Sequence, residues 1–323
     1  MRVLLTGAAG FIGFHTARAL LARGDEVVGI DNLSDYYSVD LKEARLAMLE
    51  PEENFSFEKF DLADRDVVLE RFKDEPFDAI INLAAQAAVR YSIDHPFPYA
   101  DSNLSGFLTM LELARAQKNL RHMVYASSSS VYGGNDKLPY SETDAVDHPI
   151  SLYAATKRAN ELMGHTYAHL YGIPLTGLRF FTVYGPWGRP DMAYWTFTDA
   201  VLQGKTIPVF NHGDMKRDFT YIDDIVKGVL AVLDGPPNAD DGAPHRIYNI
   251  GNNKPEDLMH FIGLIEKLTD KKADMDMQPM QPGDVYATYA DISSIQQDHG
   301  FEPSTSLEEG LPKFVEWFRS YNG

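Results

Sequence analysis

The feature that most restricts the fold of this chain is a glycine-rich turn near its start. An apolar run over residues 2–6 leads into Gly7-Ala-Ala-Gly10-Phe-Ile-Gly13, and the pattern that follows predicts a helix ending near residue 24. A second apolar run over residues 26–30 ends in Asp31. Such glycines allow a tight turn and a close approach of the backbone to a pyrophosphate at the helix N-terminus. The order of strand, glycines, helix, strand and acid therefore predicts a dinucleotide-binding unit.

Asp31 also indicates which dinucleotide binds. Its carboxylate can accept hydrogen bonds from the ribose hydroxyls of adenosine, and it would repel a 2′-phosphate. No Arg follows it until Arg45. The sequence therefore favours NAD over NADP.

Strands and helices keep alternating beyond this unit. Apolar runs predict strands at residues 55–60, 78–83, 123–126 and 175–181, and helices at residues 67–72, 96–117 and 150–171. This alternation predicts an α/β fold with a Rossmann-type doubly wound parallel sheet. It breaks down after Tyr184. We predict an NAD-binding Rossmann domain over residues 1–184 with a return segment at 218–250, and a smaller α/β C-terminal substrate lobe over residues 185–217 and 251–323.

Four consecutive serines, Ser127 to Ser130, follow the predicted strand at residues 123–126. Open α/β sheets bind their ligands at the carboxyl ends of the strands, so these hydroxyls are candidate ligand contacts. Tyr153 and Lys157 are four residues apart on a predicted helix, where the ammonium can favour the ionised phenol. The pair alone is a weak signal. Together with the serines it makes Tyr153 a candidate base.

The composition excludes several classes of function. A formal net charge of −18 opposes binding to nucleic acid and to anionic membranes. The absence of Cys excludes disulfides and thiolate catalysis, and the ten His show no zinc-type spacing, so we expect no metal. No apolar run approaches the ~18 residues that cross a bilayer, and no signal peptide precedes the first strand. We therefore expect a cytoplasmic protein.

With these motifs assembled, the chain resembles the extended short-chain dehydrogenase/reductase family, and specifically its nucleotide-sugar epimerases and dehydratases. The resemblance covers nearly the whole chain, through the glycine turn, residues 82–86, the serines, the Tyr153/Lys157 pair and the run at residues 179–186. It implies that Tyr153 is the catalytic base, that Lys157 tunes it and binds the nicotinamide ribose, and that Ser128 bonds the reacting sugar oxygen. It also implies an NAD that is regenerated in each cycle and stays tightly bound.

The cofactor contacts that the resemblance implies are spread over the first lobe. They are Gly7, Gly10, Phe11, Ile12, Gly13, Asp31, Asn32, Asp61, Leu62, Leu83, Ala84, Ala85, Gln86, Asn103, Tyr153, Lys157 and Phe181.

Ser129 and Ser130 indicate which of the reactions known in this family the chain catalyses. The related sugar dehydratases carry an Asp and a Glu where this chain has Ser129 and Ser130, and the related uronate decarboxylases carry a Glu at the second position. Without these carboxyl groups there is no general acid for elimination. The simplest remaining chemistry is oxidation at C4 followed by reduction on the other face, which is epimerisation.

The substrate is indicated by Thr182 and Arg189. UDP-glucose epimerases usually have Asn where Thr182 stands, and the run at residues 180–192 resembles that of the UDP-glucuronate 4-epimerases. Hydroxyls of Ser129, Ser130 and Thr182, with Arg189 nearby, would suit a uronic acid carboxylate. A surface salt bridge remains the alternative reading of Arg189. A UDP-glucose/UDP-galactose 4-epimerase, a UDP-glucuronate decarboxylase and an inactive NAD-binding regulatory protein remain open as alternative functions.

The resemblance also implies how the nucleotide is held. Arg217 matches the Arg that binds the diphosphate, Asp284 matches the acid that binds the uridine ribose, and Phe210 is a candidate to stack on uracil. Arg90 is a further candidate anion ligand. Members of the family commonly pair through helices equivalent to 96–117 and 150–171, so we expect a homodimer.

Overall fold

The computed structural model describes residues 1–239, 242–281 and 283–323. The strands are β1 (Arg2–Thr6), β2 (Glu26–Asp31), β3 (Phe55–Lys59), β4 (Ala79–Asn82), β5 (His122–Ser128), β6 (Leu175–Phe180), β7 (Thr182–Tyr184), β8 (Thr206–Val209), β9 (Lys216–Tyr221), β10 (His245–Ile250), β11 (Pro255–Asp257) and β12 (Asp274–Met277). Seven of them form one parallel sheet in the order β3-β2-β1-β4-β5-β6-β10.

The helices are α1 (Phe11–Ala22), α2 (Val39–Leu49), α3 (Arg65–Phe72), α4 (Tyr91–Asp94), α5 (Phe97–Tyr99), α6 (Gly106–Ala116), α7 (Leu152–Tyr171), α8 (Ala193–Gln203), α9 (Ile222–Asp234), α10 (Leu258–Thr269), α11 (Ser293–His299) and α12 (Leu307–Asn322). A π-helical turn, Ala100–Ser105, joins α5 to α6. None of the helices in the described part of the chain is both long and apolar enough to span a membrane.

Central strands of the large sheet are apolar on both sides, which explains why it is covered on both faces. Val3 and Leu5 of β1 belong to one buried cluster, and Leu4 between them belongs to a second one. The first cluster includes α1 and α9, and the second includes α3, α6 and α7. The doubly wound parallel sheet predicted from the sequence is confirmed.

Strand order reverses direction at the boundary between β1 and β4. Thr6 at the end of β1 pairs with Asn82 at the end of β4, and Asn82 pairs in turn with Tyr125 of β5. Crevices at such a reversal are where open α/β sheets bind nucleotides. The glycine turn after β1 and the serines at the end of β5 therefore face the same crevice.

A smaller three-stranded sheet, in the order β11-β9-β7, draws on three different parts of the sequence. Its strand β7 lies within the predicted first lobe, β9 begins just before the predicted return segment, and β11 lies within the predicted second lobe. Strand β10 of the return segment joins the large sheet beside β6. The two-lobe division with its stated boundaries stays a prediction, and the strand pairing crosses those boundaries.

Helix α7 supplies the predicted Tyr–Lys pair and has clear signals at both ends. The side chain of Ser151 accepts a hydrogen bond from the backbone N–H of Ala154, which satisfies a free donor of the first turn. Gly172 ends the helix in the left-handed conformation, with φ 65°. The helix therefore begins at Leu152, two residues after the predicted start at residue 150.

Candidate active site

A large cavity of about 640 Å³ opens at the carboxyl ends of the strands in the large sheet. Its wall includes most of the residues predicted from the sequence. They are Gly7, Gly10, Phe11, Ile12, Gly13, Asp31, Asn32, Asp61, Leu62, Leu83, Ala84, Ala85, Gln86, Ser128, Ser129, Ser130, Tyr153, Lys157, Phe181, Thr182, Arg189, Arg217 and Asp284. Two predicted residues, Asn103 and Phe210, do not line it.

The glycine turn forms a bare backbone cradle at one end of this cavity. Gly7 has φ +73°, and a Cβ built on it would lie 2.8 Å from the backbone nitrogen of Ala84. A Cβ on Gly13 would lie 2.0 Å from the carbonyl oxygen of Gly7. Side chains are therefore excluded from the turn, and the N-terminus of α1 is open to a phosphate group.

The carboxylate of Asp31 organises the adjoining end of the cavity. It accepts hydrogen bonds from the backbone N–H groups of Ala9, at 3.2 Å, and Leu33, at 2.8 Å. Beside it, the Asn32 amide donates to the Asp61 carboxylate at 2.9 Å. These groups fix the side chains that would meet the adenosine half of a dinucleotide.

Tyr153, Lys157 and Ser128 are brought together where β5 ends against α7. The Lys157 ammonium donates to the carbonyl oxygen of Ala126 at 2.9 Å, and burial lowers the pKa of this lysine to about 8. Burial also raises the pKa of Tyr153, while a hydrogen bond from Ser128 and the charge of Arg189 act in the opposite direction. Among the protein groups alone, desolvation of the phenol outweighs the positive charge near it, so its pKa lies above the ordinary value.

A buried ion pair lies directly behind these three residues. Arg179 of β6 donates to both carboxylate oxygens of Glu161 on α7, at 2.8 and 2.9 Å. The Ser127 hydroxyl, next to Ser128, donates to the same carboxylate at 2.6 Å. All three residues are at most 2% exposed. The pair therefore fixes the end of β5 relative to the helix that holds Tyr153 and Lys157.

Asn103 lies behind the cavity wall rather than in it. Its amide donates to the Gln86 carbonyl oxygen at 3.0 Å and to the Thr156 hydroxyl at 3.0 Å, and its oxygen accepts from the Gln86 N–H at 2.8 Å. The residue belongs to the π-helical turn Ala100–Ser105, which turns it inward. It joins the loop after β4 to α7, and its link to the cofactor is indirect.

Hydroxyl groups and one arginine line the part of the cavity next to Tyr153. The Oγ of Ser130 is buried and has no hydrogen-bond partner among the residues that the structure describes. Arg189 bonds both oxygens of Asp191, through Nε at 3.0 Å and Nη2 at 2.5 Å. Burial acts against the charge of this arginine, but Asp191 raises its pKa above the ordinary value. Arg189 therefore lies in the cavity wall. It also forms a salt bridge, which is the alternative role that the sequence left open for this residue.

A second group of charges lines the far end of the cavity. Arg90 forms an ion pair with the Asp284 carboxylate, and Arg217 lies 3.9 Å from the same carboxylate. The Arg90 guanidinium also lies over the ring of Phe210, 4.5 Å from its centroid. Phe210 is thus held just outside the cavity by Arg90 instead of lining it.

Comparison with known proteins adds the family. The model of the NAD dependent epimerase/dehydratase family matches residues 3–251. The chain belongs to this family. UDP-glucuronate 4-epimerase 2 of Arabidopsis thaliana is 49% identical over 330 residues, which cover 99% of this chain and 76% of that protein.

Solved structures of other epimerases are similar to this family member over its whole length. The UDP-glucuronic acid 4-epimerase of Bacillus cereus, in complex with UDP-glucuronic acid and NAD, has a TM-score of 0.90 and 34% identity, covering 99% of this chain and 100% of that one. The UDP-glucose 4-epimerase of Thermotoga maritima, with UDP-glucose, has a TM-score of 0.89 and 30% identity, with complete coverage of both chains.

NAD is the cofactor of this epimerase/dehydratase family member, and the residues present fit it. The glycine cradle suits a pyrophosphate, and Asp31, which lines the same cavity, would accept hydrogen bonds from the adenosine ribose. Lys157 also lines this cavity, one helical turn after Tyr153 on α7. The sequence prediction of NAD is confirmed.

Lys42 is a charged residue of the cavity wall that the sequence analysis did not predict. It is 6% exposed, lines the cavity and donates to the Ser34 carbonyl oxygen at 2.7 Å. Burial lowers the pKa of its ammonium, while the negative charge of Asp31 opposes that shift. No local pattern could have found it, because the loop at residues 32–38 determines whether α2 reaches the cavity.

Proposed function

We propose that this family member is a UDP-glucuronate 4-epimerase, which interconverts UDP-glucuronate and UDP-galacturonate by inverting C4. The observation that carries the proposal is a set of hydroxyl groups and one arginine in the same cavity wall as Tyr153. Ser129, Ser130, Thr182 and Arg189 line the wall next to Tyr153, and the Ser130 hydroxyl is buried without a partner in the described part of the chain. A carboxylate at C6 of the sugar supplies an acceptor for these donors.

Proton transfer at C4 is assigned to Tyr153. Its phenolate takes the proton of the C4 hydroxyl, and the Ser128 hydroxyl, which hydrogen-bonds the phenol, also bonds the same sugar oxygen as it becomes a carbonyl. NAD held by the glycine cradle would supply the acceptor for the C4 hydrogen and its electron pair, and the donor that returns them to the opposite face of the sugar. The phenol gives its proton back to the C4 oxygen in that second half, so the residues end each cycle unchanged.

Lys157 supplies positive charge in the cavity wall, on the same helix as Tyr153. Lys157 is 3% exposed, and among the described residues the hydrogen-bond acceptor of its ammonium is the carbonyl oxygen of Ala126. Burial raises the pKa of Tyr153 in the ligand-free chain. The positive charge of Lys157 and of an oxidised nicotinamide ring would both lower it, which ties phenolate formation to cofactor binding.

The charged residues at the far end of the cavity hold the nucleotide while the sugar rotates. Arg217 and Arg90 supply positive charge for the diphosphate, and Asp284 accepts from the uridine ribose. Arg90 is paired with Asp284, and contacts of these two residues with phosphate and ribose would replace this ion pair. The 4-keto sugar rotates about its phosphate linkage and presents its other face to the cofactor.

Hydroxyl ligands also protect the intermediate. Oxidation of C4 gives a β-keto acid, which loses CO2 readily when the bond to the carboxylate aligns with the carbonyl π system. Hydrogen bonds from Ser129, Ser130 and Thr182 hold the carboxylate in one orientation. We infer that this orientation is out of alignment, so that return of hydrogen to C4 is faster than decarboxylation.

A comparison of substrates tests this assignment. We expect kcat/KM for UDP-glucuronate to exceed that for UDP-glucose and UDP-galactose by at least about 100-fold, which is the value of one buried charge-assisted contact of about 3 kcal/mol. The Tyr153→Phe variant is the control and should be inactive with all three. Equal or better turnover of the neutral hexoses would move the assignment to a UDP-glucose/UDP-galactose 4-epimerase, and a UDP-pentose as main product would make the enzyme a decarboxylase.

We further propose that the protein acts in the cytoplasm as a homodimer. Support for the dimer comes from apolar side chains exposed on the helices predicted to pair. Phe97 of α5 is 77% exposed, Leu108 of α6 is 43% exposed, and Leu162 and Leu170 of α7 are 54% and 61% exposed. Two copies joined through these helices would remove this apolar surface from water.

A further inference from the structure

Arg45 of α2 carries a buried charge that the proposed reaction does not use. Its side chain is 0% exposed, and within residues 1–239, 242–281 and 283–323 it contacts no carboxylate. A buried guanidinium is costly unless its donors are satisfied by well-aligned acceptors. The acceptors around Arg45 are therefore informative about its role.

Four neutral oxygens accept hydrogen bonds from the two terminal nitrogens of this guanidinium, whereas its Nε has no partner in the described residues. Nη1 donates to the carbonyl oxygen of Ala9 and to the hydroxyl of Tyr37, both at 2.8 Å. Nη2 donates to the carbonyl oxygens of Trp187, at 2.7 Å, and Gly188, at 3.0 Å. Ala9 belongs to the glycine cradle, and Gly188 directly precedes Arg189. One side chain thus joins the cofactor cradle to the segment that carries the proposed carboxylate ligand.

In the segment at residues 186–189, a backbone group of every residue forms a hydrogen bond with a side chain from another part of the chain. His15 of α1 contacts the Pro186 carbonyl oxygen through Nε2 at 2.9 Å, and the N–H of Arg189 donates to the Tyr194 hydroxyl at 2.8 Å. Trp187 has φ 61°, a left-handed conformation that is strained for a bulky residue and persists only when its surroundings impose it. The bonds from Arg45 to the carbonyl oxygens of Trp187 and Gly188, and the packing of the Trp187 ring against Trp317 and Tyr321, are among the contacts that surround it.

We propose that Arg45 is a positioning residue. It fixes the backbone that carries Arg189 relative to the glycine cradle, and so places the Arg189 side chain where it can bind the carboxylate of the substrate. This inference rests on the proposed function, since it assumes a carboxylate at C6. Arg45 itself is not among the residues that line the cavity. It acts by fixing the backbone from which Arg189 reaches into the cavity, so its loss should weaken recognition of the carboxylate more than recognition of the rest of the substrate.

The test is a binding measurement by isothermal titration calorimetry on NAD-loaded protein, in a Tyr153→Phe background that prevents turnover. The selectivity is the ratio of the Kd for UDP-glucose to the Kd for UDP-glucuronate. Arg45→Lys keeps the charge but cannot reach three segments at once. We expect it to lower the selectivity by about tenfold, which corresponds to about 1.4 kcal/mol, with the Kd for UDP-glucose unchanged.

Two controls separate positioning from general damage. Arg18→Lys changes an exposed arginine on α1 and should leave the selectivity within about twofold of the parent. NAD released from each variant by acid and measured by chromatography should stay equimolar with protein. In an Arg189→Gln background, Arg45→Lys should change the selectivity by less than about twofold, because the two residues act through one contact.

The outcomes distinguish this inference from the proposed function. If the parent binds UDP-glucose as tightly as UDP-glucuronate, the proposed function is wrong. If the parent is selective and Arg45→Lys keeps that selectivity, or weakens both ligands alike, the function stands and the role of Arg45 is wrong. Should Arg45→Lys fail to fold, His15→Ala tests the same segment through Pro186. A loss of about threefold in selectivity supports the role, and an unchanged selectivity overturns it.

Discussion

At the scale of single residues, Lys157 and Ser130 are polar groups that the ligand-free chain satisfies poorly. Lys157 is buried with one carbonyl oxygen as its hydrogen-bond acceptor, and the Ser130 hydroxyl has no partner in the described residues. Burying such groups lowers the stability of the folded state. Their position in the cavity wall indicates that ligands supply the missing interactions, so each can be tested through both stability and function.

Lys157→Met should stabilise the cofactor-free protein. Burial lowers the pKa of Lys157 to about 8, so below that pH the folded state holds a charge that its surroundings disfavour. Between about pH 8 and about pH 10 the unfolded chain keeps this proton while the folded chain releases it, so the penalty decreases as the pH rises. At pH 7 we expect a gain of about 1–2 kcal/mol in the free energy of unfolding, with the lost bond to Ala126 allowed for.

Urea unfolding at pH 7 and at pH 10 measures this gain. The increase should be smaller at the higher pH, where the folded chain has released the proton and the unfolded chain is beginning to release it. Lys205→Met, at an exposed position, is the control and should change stability by less than about 0.5 kcal/mol at either pH. A variant at position 157 that is less stable than the parent at pH 7 contradicts the account.

Ser130→Ala should weaken the hold on the substrate carboxylate. Because the hydroxyl has no other partner in the described residues, its removal leaves no protein group unsatisfied, and stability should not decrease. We expect KM for UDP-glucuronate to rise about fivefold, the value of one hydrogen bond of about 1 kcal/mol, and the fraction of UDP-pentose to increase. Chromatography of the products measures both. Ser102→Ala, elsewhere in the cavity wall, should not increase the pentose, and no increase for Ser130→Ala argues against the protective role.

At the scale of elements, the carboxyl end of β5 and the start of α7 are held in register by buried charges. Glu161 is two helical turns after Tyr153, on the same face of α7, and it accepts hydrogen bonds from Arg179 of β6 and Ser127 of β5. Burial tends to raise the pKa of this carboxyl, but its bonds with Arg179 lower it below the ordinary value. The stabilising effect of the pair is present above the unfolded pKa and is lost as the pH falls through the folded one.

Arg179→Met should destabilise the protein by about 3–5 kcal/mol at pH 7, because it leaves the buried Glu161 charge without its main partner. Arg158→Met is the matched control: Arg158 also contacts Glu161, at 3.1 Å, but is half-exposed, and its loss should cost less than about 1 kcal/mol. Urea unfolding measures both values. Adding Glu161→Gln to Arg179→Met should recover part of the loss, and a double variant less stable than Arg179→Met would contradict this reading.

Sequence patterns were sufficient for the elements whose signals are local. The glycine turn, the serines at the end of β5, and the Tyr–Lys pair on α7 were all found, because apolar periodicity and capping residues determine where those elements lie. The inward turn of Asn103 was not found, since a π-helical turn depends on the contacts made by neighbouring elements. The same reason applies to Lys42, Arg45 and the pairing of Phe210 with Arg90, all of which depend on loops that are distant in sequence.

At the scale of the whole molecule, the distribution of apolar surface supports association of two copies. The formal net charge of −18 favours separation of molecules in solution, so an interface between copies needs apolar contacts to overcome it. Exposed Phe97, Leu108, Leu162 and Leu170 lie on α5, α6 and α7, and α6 contacts α7. The helix that carries Tyr153 and Lys157 is thus also the helix expected at the dimer interface.

Leu162→Asp combined with Phe97→Asp should convert the dimer to a monomer. Two charges placed in an apolar interface are costly to bury, whereas both positions are exposed in a single copy, so the fold should be preserved. Light scattering coupled to size-exclusion chromatography measures the mass. Met277→Asp, at an exposed position on β12, is the control and should leave the dimer intact. A parent protein that elutes as a monomer would show that the apolar surface serves another purpose.

The most direct test of the central claim is proton NMR of the purified protein with UDP-glucuronate and no added NAD, following the anomeric region over time. The account predicts that UDP-galacturonate appears and approaches an equilibrium mixture, because the cofactor is regenerated in each cycle and stays bound. No reaction with UDP-glucuronate, combined with turnover of UDP-glucose under the same conditions, would contradict it.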